Sequence, residues 1–346
     1  MNDRAVSVLE NYECKVLRTY KGRSAIICET DCGLKILKEY RGTEERVAVG
    51  NRLLEILSGR MDRPLEQYVR TGEGNFITKD REQNTYILKD FYEGKECSAS
   101  DSEDLTKAFS YMARLHKQMY CRAEDLADLT GDAAVAVSDT RPGGENKLLS
   151  DTEKKTRELK RARNFLRKKS SRNEFENFLL LEYDRFLNRA VEAEQNLKQE
   201  SFSGYYGETA EKGMFCHGDF QYHNVVFAER GITVLNFEKY RFDSVMKDFS
   251  LFFRKVMEKN GWNTELAKRL LDAYQKERAL EKEEMKQLIL RLSYPEKFWK
   301  IVNCYLNTKK TLASEFNHGK LLKTIAQEEE AEKCISFLEA IVYNNS

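Results

Sequence analysis

Along residues 12–40, apolar and polar positions alternate in short runs broken by polar turns. The pattern predicts three strands: 12–19, 24–29 and 34–40. Tyr20-Lys21-Gly22-Arg23 and Thr30-Asp31-Cys32-Gly33 join them, and Gly33 supplies a permissive backbone. The period then becomes helical: Val47, Leu53, Leu54 and Leu57 share one face over 43–58, with Thr43 as the N-cap. Strands return at 65–70, 76–79 and 86–91. From Ser102 onward the chain is mainly helical, with Ala108, Met112, Leu115 and His116 at helical spacing. Phe175, Phe178, Leu179, Phe186, Leu187, Ala190 and Leu197 mark an amphipathic helix over 174–199. Met214-Phe215-Cys216, Val225-Val226-Phe227 and Ile232-Thr233-Val234-Leu235 read as short strands. Asp248 caps an apolar helix beginning Phe249-Ser250-Leu251, and further helices are expected over 264–278, 281–293, 296–307 and 319–343.

Two stretches depart from this pattern. Residues 122–150 are turn-rich and lack periodicity, which predicts a mobile insert. Residues 153–173 carry ten Lys or Arg against Glu153 and Glu158. Such a run is usually a solvated helix face, and it is also able to dock on a polyanion. The whole reads as an α+β chain with a small antiparallel-sheet domain over 1–93, a helical domain over 94–346 and a mobile and basic insert at about 122–173.

Composition narrows the function classes. At 346 residues with 41% hydrophobic and 33% charged content, the chain fits a globular protein of two lobes. A net charge of +1 implies no bulk attraction to nucleic acid. No apolar run approaches the ~18 residues of a membrane span, and the N-terminus shows no signal-peptide pattern. The eight cysteines form no C-x-x-C pair, and the four histidines are scattered, so reduced thiols are expected and no zinc cluster.

The chemistry concentrates in His217-Gly218-Asp219-Phe220-Gln221-Tyr222-His223-Asn224, between predicted strands. A His two places before an Asp, and an Asn five places after it, is the spacing of a phosphotransfer loop. Asp219 would accept the proton of an attacking hydroxyl, Asn224 would hold a magnesium ion on the phosphates, and His217 would brace the backbone. Further on, a metal-binding Asp is expected before a Phe, and the chain has Leu235-Asn236-Phe237-Glu238. Asn236 takes that position, and Glu238 offers a carboxylate two residues on. A strand lysine should reach the phosphates. Lys38 and Lys35 compete, and Lys38 is favoured because it shares a face with Ile36 and lies five residues past Gly33. The helix glutamate that should pair with it is open between Glu45 and Glu55, since Gly50 and Asn51 occupy the central turn. The first turn has only Gly22, not a G-x-G-x-x-G. Backbone at Lys89, Asp90 and Phe91 forms the expected hinge facing an adenine ring.

His217-Gly218-Asp219 with Asn224 resembles the aminoglycoside phosphotransferase and choline kinase superfamily. Within it, Gly33 to Lys38, His217 to Phe227, Phe253-Arg254-Lys255 and Tyr294-Pro295-Glu296-Lys297-Phe298-Trp299-Lys300 with Tyr305 and Asn307 are similar to the spore coat protein S (CotS) family of endospore-forming bacteria. The resemblance spans about residues 10–340, least over 122–173. It implies a bilobal protein-kinase-like fold, with ATP and Mg2+ as cofactors, Asp219 as catalytic base, Lys38 as phosphate lysine and Asn224 as a metal ligand. It also implies synthesis in the mother-cell cytoplasm, residence in the spore coat and other coat proteins as partners. Active superfamily members have Asp where this chain has Asn236. Two expectations follow: a pseudokinase or weak nucleotide binder, or an active ATP-dependent phosphotransferase acting on a small-molecule or coat-associated hydroxyl.

Overall fold

The computed structural model describes residues 6–61, 65–122, 124–126, 147–307 and 310–344. The chain packs as two compact units. The first comprises residues up to 143, 209–248 and 276–278; the second comprises 144–208, 249–275 and 279–346.

The first unit is built on an antiparallel sheet of β1 (Val16–Gly22), β2 (Ala25–Thr30), β3 (Gly33–Glu39), β4 (Tyr68–Val69), β5 (Ile77–Lys79) and β6 (Thr85–Asp90). The order is β1-β2-β3-β6-β4, with β5 also on β6. Its first hairpin turns on Arg23-Ser24, since Gly22 pairs with Ala25. One face of the sheet buries Val8, Leu9, Tyr12, Ile26, Cys28, Leu37 and Leu88. Helix α1 (Glu44–Arg60) starts where the Thr43 hydroxyl accepts from the Arg46 amide at 3.3 Å. Its buried face carries Val47, Leu53, Leu54 and Leu57, as the periodicity predicts. Helix α2 spans Ser102–Gln118 and is capped by Asp101.

A second sheet is formed by β7 (Gly94–Glu96), β8 (Val225–Ala228) and β9 (Gly231–Val234), and β8 directly follows the loop at 217–224. Gly94 pairs with Ala228, and a side chain at Gly94 would collide with the Phe227 carbonyl. Because β7 pairs with β8, residues 94–96 and the loop share one compact unit with the N-terminal sheet. Packing therefore does not divide the chain at 93/94. Residues 214–216 form only isolated bridges, Tyr120 with Met214 and Cys216 with Arg241.

The second unit is helical: α3 (Lys147–Lys168), α4 (Glu174–Gln199), most of α5 (Ser203–Glu211), α6 (Met246–Lys259) and α7 (Thr264–Glu277), then α8 (Lys282–Ser293), α9 (Glu296–Asn307), α10 (Lys310–Ala326) and α11 (Glu328–Asn344). The expected mobile segment falls mostly on 127–146, outside the described residues. The basic segment is not part of an irregular insert. Residues 147–168 form a helix whose Leu159, Ala162 and Leu166 enter the core with Tyr183, Phe186 and Phe298. The chain breaks at 169–173, where Asn173 and Glu176 form a reciprocal capping box. The expected helix 319–343 is two helices interrupted at Gln327, whose side-chain amide donates to the Glu258 carbonyl at 3.1 Å. Tyr294 to Lys300 is a tie point within the unit: Glu296 pairs with Lys155 at 2.7 Å, Lys297 with Glu258 at 3.2 Å, and the Trp299 indole donates to Glu158 at 2.9 Å.

Candidate active site

The loop at 217–224 is held from behind by Asp248, a fully buried residue in the first turn of α6 rather than at its cap. Its carboxylate accepts the amides of His217 at 2.6 Å and Gly218 at 2.8 Å. Gly218 has φ +80°, and a side chain there would strike the Lys239 carbonyl, so the turn requires glycine. His217 Nδ1 accepts the Asp219 amide at 3.1 Å, while Nε2 donates to the Leu235 carbonyl at 3.0 Å. Those partners fix a neutral imidazole with its proton on Nε2. His217 thus braces the loop and leaves Asp219 facing outward, half-buried.

Burial lowers the pKa of His217 and carries that of His116 well below 6.5; Arg278 and His217 push His116 the same way. With depressed folded values, the unfolded chain takes up protons first as pH falls below 6.5. Stability should then decline with a slope approaching about 1.4 kcal/mol per pH unit per histidine. Asp248, whose carboxyl is raised by burial, opposes this at the acid end. Melting temperatures should fall between about pH 7 and pH 5, less steeply in His116→Leu. Equal slopes in the two proteins would show that His116 contributes nothing.

The residues expected to handle phosphate and metal are brought together, but they hold one another. Lys38 Nζ lies 2.8 Å from Asn236 Oδ1 and 2.7 Å from Glu238 Oε1. Lys35 is elsewhere, paired with Asp90 at 2.5 Å. Asn236 adopts the left-handed conformation (φ 72°, ψ 53°), which asparagine tolerates better than most residues. Its amide donates to Asn224 Oδ1 at 2.8 Å, and the Asn224 amide donates to the Asp219 carbonyl at 2.8 Å. Asp219 itself accepts from Gln221 at 3.0 Å and from Lys239 at 2.8 Å.

Lys89 departs most from expectation. Its side chain is fully buried, with Nζ 2.9 Å from Glu66 and 2.7 Å from Glu238 Oε1. Glu66 also accepts the Phe237 amide at 2.9 Å. Burial alone would raise the Glu238 carboxyl, but the ammoniums of Lys89 and Lys38 outweigh it and hold the group far below the usual carboxylate range. Burial alone would lower Lys89, and Glu238 and Glu66 reverse that. Nor is the expected hinge free. The Asp90 amide donates to the Gln67 carbonyl at 2.9 Å and the Phe91 amide to the Leu34 carbonyl at 3.0 Å. Both amides are spent on neighbouring backbone, so neither is free to donate to an adenine ring.

The helix glutamate is also absent from its expected place. Glu55 accepts from Asn51 and Arg52, Glu45 bonds the Thr43 hydroxyl, and the neighbouring Glu44 accepts the amides of Phe76 and Ile77. Gly50 packs under the Tyr240 ring, where a Cβ would come within 2.9 Å. Arg46 fastens α1 instead, donating to the Tyr240 carbonyl at 2.7 Å and lying 4.7 Å over that ring. The carboxylate on Lys38 comes from Glu238, at the exit of β9.

Three functional features escaped the sequence pattern: Glu66, the inward side chain of Lys89, and Lys239 on Asp219. The consecutive buried Ile87, Leu88 and Lys89 hide which face of β6 Lys89 takes. A magnesium ion fits this donor set poorly. Asn224 and Asn236 are neutral and bonded to each other, and Glu238 is shared by two ammoniums. Among the described residues, no three His, Cys, Asp or Glu side chains gather as a metal site.

The architecture is a protein-kinase-like fold. It superposes on an aminoglycoside phosphotransferase from Alicyclobacillus acidocaldarius subsp. acidocaldarius DSM 446 with TM-score 0.80 at 15% identity, covering 98% of this chain and 96% of that one. It also superposes on a spectinomycin phosphotransferase in complex with ADP and spectinomycin, at TM-score 0.61 and 12% identity, covering 96% of each chain. Residues 152–338, more than half of the chain, match the family model described as "Spore coat putative kinase YutH", and the chain belongs to that family. It is 26% identical over 325 residues to spore coat protein S of Bacillus subtilis (strain 168), spanning 92% of this chain and 87% of that protein. Among the described residues, no helix is long and apolar enough to cross a membrane.

Proposed function

We propose that this chain is a spore coat component built on a kinase scaffold, a pseudokinase that binds nucleotide weakly and turns it over little or not at all. One observation carries the reading: the phosphate lysine, the metal position and the nearest carboxylate form a closed internal network of Lys38, Asn236, Asn224, Glu238 and Lys89. To engage ATP, Lys38 would have to leave a half-buried carboxylate. To hold a metal, Asn236 and Asn224 would have to break the hydrogen bond between their side chains. The chain is made in the mother-cell cytoplasm and joins other coat proteins in the spore coat, in keeping with its family.

A second reading is favoured by the intact loop. Asp219, on a loop braced by His217 and Asp248, is kept where a general base would act on a hydroxyl, whether of a small molecule or of a coat-associated acceptor. Thermal stabilisation by ATP with Mg2+ or Mn2+, and then phosphate transfer, separate the two. The pseudokinase reading expects wild type to gain less than about 0.4 kcal/mol, the value at ligand equal to Kd, with no turnover above the Asp219→Ala background. Turnover abolished by Asp219→Ala would make the chain an enzyme.

A further inference from the structure

The densest charge run of the chain plays no part in the site above. It forms most of α3, and part of it is consumed within the unit: Lys155 pairs with Glu296 at 2.7 Å, Lys169 with Glu176 at 2.5 Å, and Arg163 with Asp184. Lys154, Arg157, Lys160, Arg161 and Lys168 are exposed, and none meets a carboxylate among the described residues. At 100° per residue, Lys154, Arg157, Arg161 and Lys168 fall on one stripe. Phe165 lies along its edge, between Arg161 and Lys168, and is 51% exposed.

Beside the stripe runs a groove of about 260 Å³ between α3 and α9. Leu159, Ala162 and Val302 form its apolar floor, and Phe165 and Trp299 its walls. The indole is fixed by donating to Glu158 at 2.9 Å, with Lys155 Nζ 5.0 Å over its ring. Arg161 belongs to both stripe and groove. The groove is smaller than the ~300–1,000 Å³ of an ordinary small-molecule pocket, and it suits one bulky side chain.

We propose that this face docks an acidic peptide segment of another protein, with one large apolar side chain seated between Phe165 and Trp299 and carboxylates along the stripe. Charge complementarity selects the acidic partner, and the aromatic groove selects a protein. A nucleic acid would use the stripe and have little use for the apolar floor.

The test uses the full chain and three fluorescent probes of similar charge: an Asp/Glu-rich synthetic peptide with a central Leu-Phe, the same peptide with Ser-Ser there, and oligothymidylate. The Leu-Phe peptide should bind at least about 10-fold tighter than the Ser-Ser peptide, the worth of burying one large apolar side chain. Phe165→Ala should remove that advantage. Arg157→Glu/Arg161→Glu/Lys168→Glu should abolish binding of the Leu-Phe peptide, and added salt should weaken it. All four positions are exposed, and unchanged melting temperatures would establish that the fold is kept. The proposal is overturned if the Leu-Phe peptide does not bind, if both peptides bind alike, or if charge reversal has no effect. Oligothymidylate binding as tightly and surviving Phe165→Ala would assign the face to nucleic acid instead. Self-association lost in Phe165→Ala, with no peptide bound, would assign it to a second copy of the chain.

Discussion

Lys89→Met should cost about 3–5 kcal/mol of folding stability, the loss typical when one partner of a buried ion pair is removed. Lys89 is fully buried, and Glu66 beside it is 1% exposed. Without the ammonium, Glu238 keeps Lys38 at 2.7 Å, but Glu66 keeps only the Phe237 amide at 2.9 Å. The orphaned charge is therefore Glu66. Adding Glu66→Gln should recover most of the loss, because a neutral carboxamide oxygen still accepts from Phe237 and no longer needs a cation. Urea unfolding with an unchanged m-value checks both steps. A loss below about 1 kcal/mol in Lys89→Met, within the range of an ordinary single substitution, would mean that the cluster is not a keystone.

The pH dependence separates this cluster from the histidines. Glu238 has a depressed folded value, so its contribution is present above the ordinary 4.5 and is lost as pH falls below it. Lys89 has a raised value, so its contribution is complete below 10.5 and is lost as pH rises above it. Between those limits the cluster is insensitive to pH. A decline near pH 6 then belongs to His116 and His217.

Local chemistry made much of the first unit legible. The second hairpin, the Thr43 cap and the apolar face of α1 depend on neighbours within a few residues, and they form where the pattern puts them, whereas β1 runs three residues further than expected and turns on Arg23-Ser24. Part of the loop's geometry is local, since His217 accepts the Asp219 amide and Asn224 donates to the Asp219 carbonyl, but its anchor is Asp248, about 30 residues on. What stayed hidden is long-range. Glu66, Lys89 and Glu238 are separated by 23 and by about 150 residues, and no local period announces that a strand lysine turns inward. The inner face of α3 stayed hidden for a related reason. Its charges outnumber its apolar residues, yet Leu159, Ala162 and Leu166 at i, i+3 and i+7 are enough to seat it in a core.

These long-range contacts also recast the Asn at 236. Asn236→Asp should make the protein's stability depend on divalent cation, which wild type should not show. Asn236 now donates one proton to Asn224 Oδ1 and accepts one from Lys38. A carboxylate keeps the bond to Lys38, but its second oxygen comes to rest about 2.8 Å from Asn224 Oδ1 with no hydrogen between them. Asn224 cannot simply turn over, since its amide holds the Asp219 carbonyl at 2.8 Å. In chelator the variant should therefore be less stable than wild type by about 1–3 kcal/mol, the cost of a buried acceptor left unpaired. A small dication held by the two oxygens would remove the repulsion and add a charge that the carboxylate matches. Added Mg2+ should restore the lost stability in Asn236→Asp, more strongly with ATP, and leave wild type unmoved. If wild type shows the same Mg2+-dependent shift, Asn236 is already a metal ligand and the closed network opens readily. If the variant shows none, the interruption lies in Glu238, whose hold on both lysines would then have to be released before any metal or nucleotide enters.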